Sequence, residues 1–226
     1  RDFDPHVERT RSRPLASGEV SLKEALLLFS LLMLTAFLLV LMTNLLTIKL
    51  AFLGALLAST YPFFKRFTHV PQVVLGIAFG WGIPMAFAAQ TGAVPALAWW
   101  LLGVNTIWSV IYDTQYAMVD REDDLAVGVR STAILFGRLD VPIIGILMVA
   151  MIALLIFLGG QQQLTWPWYL GVSVSGLLFI RQLWAIRGRE RDACFRAFLN
   201  NNWVGFAIFL GLCGHFMLSG AYFATV

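Results

Sequence analysis

Long uncharged stretches constrain this chain more than any motif. Seven of them are about the 20 residues that a helix needs to cross the hydrocarbon core of a bilayer. They run approximately from Ala25 to Thr43, Leu45 to Phe64, Pro71 to Ala89, Ala96 to Val119, Val141 to Leu158, Pro167 to Ile186 and Val204 to Tyr222. A soluble bundle built from them would lack polar faces with which to wrap its core. The composition agrees: 59% of the 226 residues are hydrophobic and 13% charged, against about 25% charged in soluble domains. Glycines and prolines inside the stretches, such as Gly76, Gly80, Gly82 and Pro84, are tolerated where neighbouring helices satisfy the freed backbone groups. The expected fold is an all-α, multi-pass transmembrane bundle spanning residues 1–226 as a single domain.

Charge placement gives an expected topology. Fifteen of the sixteen Lys and Arg residues fall in, or at helix ends facing, four segments: Arg1 to Lys23, Lys65 to Arg66, Arg121 to Arg138 and Arg181 to Arg196. The acids gather with them, the intervening connections are neutral, and the exception, Lys49, can snorkel to the far interface. By the positive-inside rule the charged face is cytoplasmic and the C-terminal Val226 lies outside. Charge on one face points to polar chemistry at a single membrane surface, not to a transport path with charges at the midplane. The chain begins with Arg1 and reads as truncated. Cys194, in a cytoplasmic segment, and Cys213, within a span, suggest neither a disulfide nor a metal site. His6, His69 and His215 are too scattered for a metal site, and no nucleotide-binding fingerprint or nucleic-acid partner is indicated.

Chemistry concentrates in Tyr112-Asp113-Thr114-Gln115-Tyr116-Ala117-Met118-Val119-Asp120-Arg121-Glu122-Asp123-Asp124. Acids beside a membrane span are expensive and are functional candidates. On a helix turning about 100° per residue, Asp113, Tyr116, Asp120 and Asp124 share one stripe, with Asp120 and Asp124 about 6 Å apart along the axis. Two acids so placed repel unless a cation or proton sits between them, and Mg²⁺ favours one or two carboxylates plus phosphate oxygens. Glu122 and Asp123, on other faces, read as a solvated helix end balanced by Arg121 and Arg130. The N-terminal segment Phe3-Asp4-Pro5-His6-Val7-Glu8-Arg9-Thr10-Arg11-Ser12-Arg13-Pro14-Leu15 pairs an acid with three arginines, which suit phosphate and equally suit an anionic lipid surface.

These segments resemble the UbiA superfamily of intramembrane prenyltransferases. Phe3-Asp4, His6-Val7 and Arg9-Thr10-x-x-Arg13-Pro14-Leu15-x-x-Gly18 look like the end of its first Asp-rich motif and the following loop, and Tyr116-x-x-x-Asp120-x-x-x-Asp124 like its second. Tyr61-Pro62-Phe63-Phe64-Lys65-Arg66, Pro71 to Gly76, Trp81 to Ala88, Tyr112 to Ala117, and Ala193-Cys194-Phe195-x-Ala197-Phe198-x-Asn200-Asn201-Asn202 are similar to the 4-hydroxybenzoate polyprenyltransferase branch. The family has nine helices. The resemblance therefore implies that about seven are present, and that the first two and all of the first motif but Asp4 are absent, so the fragment itself is expected to be incomplete in catalysis.

The resemblance further implies Mg²⁺ held by Asp4, Asp120 and Asp124 against the diphosphate of a polyprenyl donor, with Arg9, Arg13, Lys65 and Arg130 around the phosphates. Tyr116, Trp81 and Phe87 would face an allylic cation. Arg66 would hold the acceptor carboxylate, and Asp113 would act as base or hydrogen-bond partner for its phenol. The implied activity is polyprenyl transfer to 4-hydroxybenzoate in ubiquinone biosynthesis, at the cytoplasmic face of a bacterial inner membrane. The alternatives are another aromatic acceptor (a naphthoate, a haem or a chlorophyllide), a cation-coupled transporter using Asp113, and a non-catalytic scaffold.

Overall fold

A computed structural model describes residues 13–220, apart from the side chains of Lys65, Arg66 and Val127. Those residues form α1 (Pro14–Ser17), α2 (Leu22–Leu41), α3 (Leu45–Phe67), α4 (Pro71–Gly80), α5 (Gly82–Thr91), α6 (Ala96–Val119), α7 (Arg121–Val127), α8 (Thr132–Phe136), a 3-10 turn at Gly137–Leu139, α9 (Asp140–Gln161), α10 (Trp166–Ile186) and α11 (Arg191–Ser219). There is no strand among them, so the all-α expectation holds.

Among the described residues six segments are long and apolar enough to span a membrane: Leu22–Leu41, Leu45–Phe64, Pro71–Thr91, Thr132–Gln161, Trp166–Ile186 and Arg191–Ser219. The expected fourth span, Ala96 to Val119, is a continuous helix of 24 residues but is not among those six. Its polar residues set it apart, and they are turned inward: Ser109, Thr114 and Gln115 are fully buried. A helix surrounded by protein can carry groups that lipid would reject.

Other boundaries move for identifiable reasons. The expected third span divides at Trp81 into α4 and α5, because Pro84 has no N–H to offer the Gly80 carbonyl one turn earlier. The stripe helix breaks at Asp120, which ends α6 and starts α7 with φ −95° and ψ 6°. The last helix begins at Arg191, well before Val204, and encloses Cys194, which is buried within a helix instead of lying in a polar segment.

By internal contacts the chain divides into two compact units, one reaching to Leu53 and taking in Pro84–Val94, the other made of Gly54–Ile83 and the chain from Pro95 onward. In the first, Ser21 and Glu24 form a reciprocal capping box that starts α2. Asn44 accepts the Thr47 N–H at 3.0 Å and donates to the Ala88 carbonyl at 2.6 Å, joining α3 to α5. Phe37 and Phe52 meet edge to face.

The second unit holds the core, which is centred on α6, α9, α10 and α11. Small residues let its helices approach. A Cβ on Gly171 of α10 would sit 2.5 Å from the Ala207 carbonyl of α11, and Ser175 donates across the same seam to the Val204 carbonyl at 3.2 Å. A Cβ on Gly76 of α4 would meet Thr106 Cα at 2.8 Å and Ser109 Cβ at 2.9 Å on α6. The Thr165 N–H donates to His215 Nδ1 at 3.1 Å, satisfying an otherwise unbonded donor at the start of α10 and giving His215 a structural role.

Candidate active site

In the second unit a cavity of about 810 Å³ is lined by α4, α6 and α11, with Phe79, Asn105, Trp108, Tyr112, Phe198 and Asn201 on its walls. One wall is aromatic. The Trp108 and Tyr112 rings stand perpendicular at 6.0 Å, and Phe198 lies 6.1 Å from Tyr112 and 5.0 Å from Tyr116. Trp108 reaches into the space left by Gly205, where a Cβ would come within 2.7 Å of the indole. Tyr112 and Ser109 share a hydrogen bond of 3.0 Å, and Asn105 donates to the Gly76 carbonyl at 3.0 Å.

Behind this wall runs a chain of buried amides with a fixed direction. The Trp108 indole can only donate, and it donates to Asn201 Oδ1 at 3.0 Å. Asn201 Nδ2 therefore donates onward, to Gln115 Oε1 at 2.9 Å. Gln115 in turn donates to Gln182 Oε1 at 3.1 Å, and Gln182 to Asn200 Oδ1 at 3.3 Å. Three helices are thus tied together without a charge. A second set, Thr114 with Thr132 at 2.6 Å and Gln72 accepting from the Thr132 N–H at 3.3 Å, joins α4, α6 and α8.

Charge is confined to one end. Asp140 is fully buried at the start of α9, where Arg121 donates to one carboxylate oxygen and Arg189 grips both, with its closest contact at 2.7 Å. Arg189 also donates to the Arg138 carbonyl at 2.9 Å, and it holds a left-handed backbone, φ 57°, in the turn between α10 and α11. Its bonds to Asp140 push the Arg189 guanidinium pKa up. The junction of α6 and α7, the start of α9 and the α10–α11 turn are thereby fixed to one carboxylate.

The residues singled out from the sequence are distributed as follows. Asp120 and Asp124 are bound by one turn of backbone, the Asp124 N–H donating to the Asp120 carbonyl at 2.8 Å, so their spacing survives the helix break. Asp113 and Tyr116 lie half-buried below them on α6. Arg130 donates to the Phe67 carbonyl at 2.9 Å, which brings it beside the last turn of α3, where Lys65 and Arg66 sit. Arg13 is exposed at the start of α1, in the other unit. Trp81 packs edge to face on Trp99, and Phe87 is half-buried on α5. Asp4 and Arg9 lie outside the described residues. Among the described residues no three His, Cys, Asp or Glu side chains converge on one point.

The expected balance of Glu122 and Asp123 by Arg121 and Arg130 is not what forms. Arg121 turns inward to Asp140, Arg130 to a backbone carbonyl, and the counter-charge is Arg191 of α11, 3.1 Å from Glu122 and 3.5 Å from Asp123. Burial decides the choice: Asp140 is inaccessible and cannot be left unpaired, whereas Glu122 is 84% exposed and solvated. Asp140, Arg189 and the amide chain were not anticipated. The available signals were the uncharged amides Gln115 and Gln182 inside apolar stretches, because polar groups at that depth must find partners.

The UbiA prenyltransferase family model matches residues 1–210. The chain belongs to the UbiA prenyltransferase family. It is 58% identical over 220 residues to the 4-hydroxybenzoate octaprenyltransferase of Alkalilimnicola ehrlichii, covering 97% of this chain and 75% of the relative. It is also 58% identical over 219 residues to the enzyme of the same name in Pseudoalteromonas atlantica, covering 96% and 76%. Among solved structures it resembles the apo structure of a UbiA homolog from Aeropyrum pernix K1, with a TM-score of 0.78 at 24% identity over 93% of this chain and 80% of that one. At that identity the likeness concerns the fold. As a family member the chain is a multi-pass membrane enzyme of prenyl transfer.

Proposed function

We propose that this UbiA-family chain transfers a polyprenyl group from polyprenyl diphosphate to the ring of 4-hydroxybenzoate, releasing diphosphate, as a step in ubiquinone biosynthesis. The observation that carries the reading is the 58% identity, over nearly the whole chain, to relatives named for that acceptor. The cavity supports it: about 810 Å³, walled by aromatic rings and a few oriented amides, is in the range and chemistry of small-molecule sites. The whole chain acts as one prenyltransferase domain, in a bacterial inner membrane with its acidic end toward the cytoplasm.

UbiA-family enzymes are generally dependent on a divalent metal, and the hard carboxylate oxygens of Asp120 and Asp124, one helical turn apart, are the ones that with Asp4 would hold Mg²⁺. When bound, the cation would supply Lewis-acid stabilisation of the leaving diphosphate. The chain's own residues do the rest. Lys65, Arg130, Arg9 and Arg13 hold phosphate oxygens through charge-assisted bonds. As the allylic C–O bond breaks, its electron pair leaves with diphosphate, and the Tyr116 ring would stabilise the carbocation while apolar walls keep water away. Arg66 grips the acceptor carboxylate with a bidentate fork. Asp113 accepts the phenol proton or a hydrogen bond from it, the ring carbon beside the phenol forms the new C–C bond, and that carbon's proton passes to the released diphosphate as the ring regains its aromaticity and the phenol recovers its own proton.

The test is transfer of labelled polyprenyl diphosphate to 4-hydroxybenzoate in membranes, with Mg²⁺ and with a chelator. The reading expects a metal-dependent prenylated hydroxybenzoate. Turnover of a different aromatic acceptor in its place would overturn the acceptor, and undiminished turnover under chelation would overturn the metal.

A further inference from the structure

A second, smaller cavity of about 130 Å³ lies between the end of α10 and the start of α11, lined by Arg181, Gln182, Arg196 and Asn200. It is below the usual volume range of small-molecule sites, so it suits one polar group. Its chemistry is one-sided. Among the described residues neither Arg181 nor Arg196 makes an ion pair or hydrogen bond, and both side chains are exposed at its rim. Glu190 and Asp192, the nearby acids of α11, pair with neither.

The amide chain decides the rest of the lining. Because the Trp108 indole can only donate, each amide after it is oriented, and Asn200 accepts from Gln182 through Oδ1. Its NH₂ group is therefore left as a donor on a residue that lines the groove. Two guanidiniums and one amide N–H₂ make a rim that offers donors and positive charge.

Depth points to the membrane surface. Trp184, on the same turn of α10, is 65% exposed, and the Arg187 guanidinium lies 4.2 Å from the centre of its ring. An exposed tryptophan with an arginine folded over it marks the headgroup layer. We propose that this groove binds one anionic phosphate group, the chemistry shared by a phospholipid headgroup and by free phosphate, at a site separate from the prenyl-transfer cavity.

The experiment is native mass spectrometry of the full chain carried from phosphatidylglycerol or phosphatidylcholine nanodiscs into detergent, with and without excess inorganic phosphate. One phosphatidylglycerol is expected to stay bound, and the Arg181→Gln, Arg196→Gln double variant is expected to lower its retention about tenfold. Asn200→Asp is the sharper variant: a carboxylate still accepts from Gln182, so the amide chain survives, but the NH₂ donor becomes a repelling oxygen. It is expected to lose the lipid as well, whereas Lys49→Gln is expected to keep it. Displacement by inorganic phosphate would assign the site to free phosphate, and persistence of the lipid would assign it to the headgroup. Equal retention of phosphatidylcholine, or retention unchanged in the double variant and in Asn200→Asp, would overturn the proposal.

Discussion

At the charged end of the second unit, Asp140 is wholly buried and is answered by two guanidiniums from elements 19 and 49 residues away. In the interior, Gln115 is just as buried but is neutral, and is answered by Asn201 and Gln182 through single amide bonds. The two regions teach different things about polar groups among apolar helices. A buried carboxylate is tolerable only while its partners stay, because removing one side leaves an uncompensated charge. A neutral amide chain carries less energy per link, yet it sets direction, since one donor-only indole fixes every orientation after it. The charged end therefore suits holding a charged group in place. The interior suits presenting oriented donors and acceptors to a neutral or singly charged ring.

Substitutions should break that comparison in a definite order. The largest loss is expected from Arg189→Ala, which leaves Asp140 with one of its two guanidiniums and also frees the Arg138 carbonyl: about 3–5 kcal/mol, read as a lowered thermal unfolding midpoint in detergent. Gln115→Leu should cost less, about 1–3 kcal/mol, because it leaves one Asn201 amide N–H and the Gln182 Oε1 without their partner and exposes no charge. Its signature is a looser cavity wall, seen as altered Trp108 fluorescence. Arg191→Ala should be the mildest. Its partners Glu122 and Asp123 are 84% and 39% exposed, and exposed pairs contribute about 0–1 kcal/mol. An Arg191→Ala loss equal to that of Arg189→Ala would erase the distinction between a buried charge centre and a solvated one.

Legibility in the sequence follows the same division. Most spans were readable because apolar length is a local property, and Ala96 to Val119, although it falls outside the apolar spans, is a helix at the expected bounds. The Asp120–Asp124 spacing was readable for the same reason, one turn being local even where the helix bends. Partnerships across elements were not. Nothing in the neighbourhood of Arg121 says that it turns to Asp140, since the nearer acids Glu122 to Asp124 are equally charged and only burial separates them. The Gln115–Asn201 bond joins residues 86 apart, and no periodicity carries that distance. The family resemblance gave expected roles to Asp120 and Asp124, and the need of a carboxylate for a fixed cation gave one to Arg66, but neither pointed to Asp140, Arg189 or the amide chain.

We propose that the acidic end engages the diphosphate, while the acceptor held by Arg66 and Asp113 lies against the aromatic and amide wall of the cavity. The most direct measurement is steady-state kinetics of Asp124→Asn and of Asn201→Leu, with both substrates and Mg²⁺ varied. Asp124→Asn is expected to cut kcat at least about 100-fold and to raise the Mg²⁺ requirement, with the KM for 4-hydroxybenzoate little changed. Asn201→Leu is expected to raise that KM about tenfold and leave the Mg²⁺ dependence as it was. Both variants moving the same parameter by the same factor, or Asp124→Asn retaining full turnover at the original Mg²⁺ requirement, would contradict the account.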